Sequence, residues 1–219
     1  MANKTFVTPK GTAIFPKLNT PDTKFNAAGV YEVKLAFDAD TPGLDKFRQI
    51  VEQMVDERFD EEVKALEDAG KGGLAKKLTK VSPFKAEEDP ATGDETGRIL
   101  VKAKMTASGI SKKTGKPWTR KPNIFDAKGL LIKNPPQIGG GSEMKVSVEL
   151  VPYVAQNDKT VGVSLRLGAA QIIKLVVFGS RDAAGYGFGE EEGDDLSGYA
   201  EQEFGVGADA GNAPDDDDL

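Results

Sequence analysis

The sequence predicts a mainly β fold: a small, partly open barrel with one long amphipathic helix inserted and an acidic tail. Three observations point that way. Several stretches alternate apolar and polar residues with a period of two, as half-buried strands do. A single stretch between Leu44 and Leu66 keeps a 3.6-residue apolar period instead. Beyond Phe188 the composition turns abruptly to glycine and acid.

The elements follow in chain order. "TFVTPKGTAIFPKL" is rich in β-branched and aromatic residues and reads as a strand bent or bulged near Gly11. "NTPDTKFNAAG" reads as a loop. In "VYEVKLAFD", Tyr31, Val33, Leu35 and Phe37 share one face, opposite Glu32 and Lys34. Thr41 suits a helix cap and Pro42 a first helical position. Leu44, Phe47, Val51, Met54, Val55, Phe59, Val63 and Leu66 then form a helical stripe that Gly70, Gly72 and Gly73 stop. "LAKKLTKV" adds a short helix, and "PFKAEEDPATGDETG" reads as a loop. "RILVKAKMTASG" turns Ile99, Val101, Ala103 and Met105 one way and Leu100, Lys102, Lys104 and Thr106 the other. "ISKKTGKPWTRKPNIFDAKG" reads as a basic hairpin tip followed by a strand, and "LLIKNPPQIGGGSE" as a loop. "MKVSVELVPYVA" and "TVGVSLRLGAAQIIKLVVF" supply two strands joined by "QNDK"; whether "AAQIIKLVVF" continues as strand or turns helical is not decided by its period. Five or six strands bent at Gly and Pro favour an OB-fold-like, partly open barrel over residues 1–188, with the helix inserted at about 41–80. A β-sandwich is the second reading. The stretch 189–219 holds too little apolar surface to offset its ordering entropy and reads as a disordered tail.

The net charge of -6 averages two opposite parts. From Gly189 onward there are 12 acids and no Lys or Arg. The helix region 40–95 holds 15 acids and 9 bases, whereas the rest of the body holds 20 bases and 8 acids. Positive charge therefore belongs to the barrel, and such asymmetry points to a nucleic-acid or polyanion partner. There is no histidine and no cysteine, which removes disulfides, thiolate nucleophiles and the usual base near neutral pH. No constellation for catalysis or for a cofactor emerges, so the chain reads as a non-enzyme. No apolar run approaches the ~20 residues that span a bilayer, and "MANKTFVTPK" is unlike a secretory signal. "IGGGSE" lacks the GK[ST] of a phosphate-binding loop, "DPATGDETG" lacks the spacing of a calcium loop, and Asp60, Glu61 and Glu62 read as a solvated helix face.

The local candidate for nucleic-acid contact is "KKTGKPWTRK". Lys112, Lys113, Lys116, Arg120 and Lys121 surround Trp118, the only tryptophan. Trp118 and Arg120 fall on one strand face, as a base-stacking and phosphate-binding pair would. Equally, the lysines could solubilise a hairpin tip while Trp118 plugs the barrel. Lys34, Lys102, Lys104 and Arg166 alternate away from apolar faces and matter collectively if their strands are neighbours; Lys10 and Lys17 could join them. Tyr31, Phe37 and Tyr153 read as core, Tyr153 with an uncertain phase.

Together the basic barrel, the inserted helix and the ending "DDDDL" resemble phage single-stranded DNA-binding proteins. "TPKGTAIFPKLNTPDTKF", "GVYEVKLAFD" and "VSLRLGAAQIIKLV" carry the resemblance most specifically. It implies an OB-fold protein of DNA replication, recombination or repair in the cytoplasm of an infected bacterial host. It also implies that the tail, through Asp215, Asp216, Asp217, Asp218 and Leu219, competes with DNA for the basic cleft and recruits replication partners such as polymerase and primase-helicase. A homodimer is compatible with it. The chain departs from the family in ending on leucine where many relatives end on an aromatic. Residues alone do not separate DNA from RNA. An RNA-binding or chaperone OB protein is therefore the alternative, and a phage structural protein with a merely solubilising tail comes third.

Overall fold

The structure, a computed structural model, describes residues 4–177 and Gly193. All its elements belong to one unit, Met1–Ser180. The acidic stretch 189–219 apart from Gly193, the domain boundary placed at 188 and the residues Asp215–Leu219 lie outside the described residues.

Five long strands build a barrel: β2 (Gly11–Asp22), β3 (Val30–Phe37), β6 (Glu95–Thr106), β10 (Glu143–Ala155) and β11 (Thr160–Lys174). β2 pairs antiparallel with β3, β3 with β6, and β10 with β11. Two short seams complete the circuit. β11 runs parallel to β6 at Leu165 and Arg166, and β10 meets β2 at Glu143 and Met144. Each seam pairs only two residues, so the barrel is partly open. This order, with one parallel pair, is the OB-like arrangement.

Short elements decorate it. β1 (Lys4–Val7) adds to β10; β4 (Thr79–Val81) and β9 (Asn123–Phe125) run parallel to β11; β5 (Lys85–Glu88) pairs with β6. β7 (Ser108–Ile110) and β8 (Pro117–Thr119) make a separate two-stranded hairpin. The opening strand is therefore broken in two, not merely bent, between Val7 and Gly11. The "PFKAEEDPATGDETG" segment, read as a loop, is largely a hairpin turning at 89–94, because β5 finds an edge on β6. "AAQIIK" stays extended because β9 and β10 both offer it partners.

The period-two faces meet inside. Val33, Leu35 and Phe37 of β3, Val101 and Ala103 of β6, Val146, Val148 and Leu150 of β10, and Val163, Leu165 and Leu167 of β11 form one buried cluster. Gly11 begins β2 where a side chain has no room: an added Cβ would lie 2.7 Å from the Phe37 ring.

The helix α1 (Leu44–Asp68) joins this core through its first half only. Leu44, Phe47, Val51 and Val55 are buried, whereas Phe59, Val63 and Leu66 are half-buried. Phe47 stacks on Phe6, with centroids 4.9 Å apart, and meets Phe84 edge-on at 5.4 Å. Its start differs from the expectation. Gly43 is the N-cap, in the left-handed conformation at φ 83°, and no side chain caps the helix. Thr41 and Pro42 instead form a turn closed by Leu44 N–H donating to the Thr41 carbonyl at 3.1 Å. α2 (Gly72–Ala75) is a single short turn. None of the helices among the described residues is long and apolar enough to cross a membrane.

Candidate nucleic-acid interface

Alternation in β3, β6 and β11 puts their polar residues on the outside of the barrel, and the register aligns them. Lys17 of β2 lies opposite Glu32 of β3, Glu32 opposite Lys104 of β6, Lys104 opposite Arg166 of β11, and Arg166 opposite Glu149 of β10. The neighbouring row sets Lys34 directly opposite Lys102. Five of the barrel cations singled out by sequence thus share one face. Two like charges paired across strands repel, and the face answers with interleaved carboxylates. Glu32 is ion-paired to Lys102 at 3.0 Å and lies 3.9 Å from Lys104; Glu149 lies 3.5 Å from Arg166. Glu87 sits near Lys34. Partial burial pushes its carboxyl up, but the Thr96 hydroxyl and the Arg98 guanidinium, 2.6 Å away, outweigh that and hold it below the usual range, with help from Lys34. All these cations are exposed to a third or more or stand at the solvent boundary, so their pairs are exchangeable for other anions.

Lys10 does not join this face. It lies between β1 and β2, paired to Glu143, in a cleft also lined by Asp38, Asp40, Lys46 and Lys145. The Lys10 ammonium is what lowers the Glu143 carboxyl below its ordinary range. The mixed charge of this cleft makes it a poor match for a polyanion.

The β7–β8 hairpin carries the other group. Lys112, Lys113 and Lys116 are exposed around its turn and Lys121 just after it. Trp118 lies across Gly109 on the paired strand; a Cβ there would come within 2.7 Å of the indole. Arg120 covers the ring, its guanidinium carbon 4.9 Å from the centroid, while its Nε donates to the Thr106 carbonyl at 2.8 Å. Trp118 therefore does not plug the barrel. It is half-buried on its own hairpin, held between a glycine and an arginine. Tyr153 repeats the device: its ring lies over cross-strand Gly162, with a built Cβ 2.7 Å from the hydroxyl. The core reading holds for Tyr31 and Phe37 and fails for Tyr153, which is 36% exposed.

Exposed aromatics outside those strands were missed by pattern. Phe15, at a bulge in β2, is 80% exposed, and Phe25, in the β2–β3 loop, is 90% exposed with Lys24 5.3 Å from its ring centroid. Among the described residues, no group of three or more acidic, His or Cys side chains is placed to hold a metal ion.

A cation-rich face with exposed rings on the same body is suited to a flexible polyanion carrying flat bases. Residues 10–176 match the family described as single-stranded DNA-binding protein, bacteriophage T7. The single-stranded DNA-binding protein of Escherichia phage T7 is 28% identical over 186 residues, 82% of this chain and 79% of that protein. Its Enterobacteria phage T3 counterpart is 28% identical over 169 residues, 76% of this chain and 68% of that protein. The crystal structure of gp2.5, the bacteriophage T7 single-stranded DNA-binding protein, superposes with a TM-score of 0.66 at 27% identity, covering 89% of this chain and 99% of that one. All three are named for binding DNA, not for catalysis.

Proposed function

Because the chain belongs to the bacteriophage T7 single-stranded DNA-binding protein family, we propose that it binds single-stranded DNA along the outer face of β3, β6 and β11. The observation that carries this is the register that sets Lys17, Lys34, Lys102, Lys104 and Arg166 side by side. Phosphates replace the Glu32 and Glu149 carboxylates as partners of these cations, and counterions are released. Phosphate contacts carry no base identity, so binding through them is sequence-tolerant. Lys112, Lys113, Lys116 and Lys121 extend the positive surface to the hairpin, where the Arg120 guanidinium, backed by the Trp118 ring, offers a stacking surface. The role served is phage DNA replication, recombination or repair, in the cytoplasm of the infected host.

The acidic tail belongs to the same proposal. Its 12 carboxylates are tethered to a cationic body, so their effective concentration at the face is high. DNA displaces the tail and frees Asp215–Asp218 and Leu219 for replication proteins. A salt titration of fluorescent oligodeoxythymidylate binding, with the full chain and with a chain ending at residue 189, tests both parts. The shorter chain is expected to bind more tightly, with a steeper fall in affinity as salt rises. Equal curves for the two chains would remove the competition, and no binding by either would remove the function. A matched RNA oligonucleotide in the same titration reports the preference for DNA.

Glu32 provides a separate check. It holds two lysines of the face in ion pairs that DNA must break. Glu32→Gln is expected to tighten oligonucleotide binding by about two- to five-fold at low salt, the range of an exposed pair. Weaker binding by this variant would show that Glu32 positions the lysines and does not compete with phosphate.

A further inference from the structure

Phe15 occupies a backbone position that a bulky residue adopts only under constraint. Between the pairs Ile14–Lys34 and Lys17–Glu32, two residues of β2, Phe15 and Pro16, face the single Val33 of β3. That is a β-bulge, and Phe15 has φ 45°, the left-handed region that bulges of this kind normally give to glycine. Pro16 turns inward and is buried, while the Phe15 ring stands 80% exposed.

The bulge is held from both sides. Gly141 N–H donates to the Ala13 carbonyl at 2.9 Å, and Ala13 N–H to the Ser142 carbonyl at 2.8 Å. Asn19 ties the facing loop down, donating to the Pro135 and Pro136 carbonyls at 3.1 and 2.9 Å and accepting from Ile138 N–H at 3.0 Å. Between β2 and that loop runs a groove of about 680 Å³, lined by Phe15, Lys17, Lys24, Asn19, Gln137 and Gly140 among others. The groove thus begins beside the Lys17–Glu32 end of the cationic row. A strained, solvent-facing phenyl ring on a fixed backbone does nothing for the core. Strain of this sort persists where the surroundings over-determine it and a site makes use of it.

We propose that Phe15 is a base-stacking platform, and that single-stranded DNA leaves the cationic face across β2 through this groove, one base on the Phe15 ring and its phosphates on Lys17 and Lys24. This rests on the reading of the cationic face as the DNA site. Lys17 and Lys24 outnumber Asp22, the acid of the lining, so the groove is net positive and favours a polyanion over an apolar protein segment as its occupant.

The test uses the full chain and oligodeoxythymidylate. Glycine suits the Phe15 backbone, so Phe15→Gly is expected to keep or raise the melting temperature. It is expected to bind on the order of ten- to a hundred-fold more weakly, the range of one lost base stack. The slope of affinity against salt should not change, because no phosphate contact is lost. Phe15→Leu should bind as weakly as Phe15→Gly. Phe15→Trp should restore affinity and add a fluorescence signal quenched by the oligonucleotide. Binding by Phe15→Gly within two-fold of the parent overturns the platform, as does full affinity in Phe15→Leu. So does loss of self-association by Phe15→Gly with DNA affinity intact. If Lys102→Glu/Lys104→Glu abolishes binding while Phe15→Gly does not, the platform alone falls. If neither variant weakens binding, the face falls with it.

Discussion

Replacing Lys102 and Lys104 together with glutamate is expected to weaken single-stranded DNA binding at least a hundred-fold at low salt. Both side chains stand on the outward face of β6, flanking Glu32. The double change turns the centre of the cationic surface into three adjacent carboxylates, and like-charge juxtaposition in an interface costs several kcal/mol. The fold itself should survive. Neither side chain enters the core, and like charges facing across strands cost about 1 kcal/mol at most. The neutral pair Lys102→Ala/Lys104→Ala gives the quantitative check. If each lysine meets one phosphate, the slope of log affinity against log salt should fall by about 1.4. Unchanged affinity in both double variants, with an intact circular dichroism spectrum, would place the DNA elsewhere on the molecule.

The second large effect concerns stability. Phe47→Ala is expected to cost about 3–5 kcal/mol, seen as a lower urea midpoint and a fall in melting temperature of about 6–20 °C. Phe47 is fully buried and touches the rings of Phe6 and Phe84, so one side chain ties α1 to β1 and to the segment leading into β5. Val63→Ala or Leu66→Ala, in the half-buried second half of α1, should cost far less. A loss below 1 kcal/mol for Phe47→Ala would mean that the helix is an appendage and not part of the core.

Local chemistry made much of this legible. A strand such as Tyr31–Phe37 declares its inner and outer faces by itself, because the side-chain period is two and one face is buried. The same is true of Arg98–Met105. Once both were read, the opposition of Lys34 and Lys102 needed only the pairing of two neighbouring strands. Lys10 was misplaced because its own strand was read as continuous; the break between Val7 and Gly11 sends it to a different cleft. The helix start was misread because "TPG" carries two competing signals. Proline suits a first helical turn, but Gly43 tolerates the left-handed conformation that turns the chain one step later. Phe15 was hidden by phase. It sits two residues after buried Ala13, so simple alternation sends it inward. The buried residues then continue at Pro16 and Leu18, one step out of phase, and that slip is the trace a bulge leaves in sequence. The cross-strand glycines under Trp118 and Tyr153 left no comparable trace, since their meaning depends on which strand lies opposite.

The two narrow seams of the barrel bear on how the chain assembles in time. At one seam Gly11 meets Met144, and at the other Ala103 meets Leu165. During synthesis, β2, β3 and β6 can pair as soon as they emerge, but their outer edges wait for β10 and β11, encoded last. Contacts so distant in the chain are slow to form, and unpaired edges invite other chains meanwhile. A ribosome making this protein therefore displays an unfinished sheet from the emergence of β6 until that of β11, and closure becomes a late event in which the β10–β11 hairpin, itself long and local, docks as a unit.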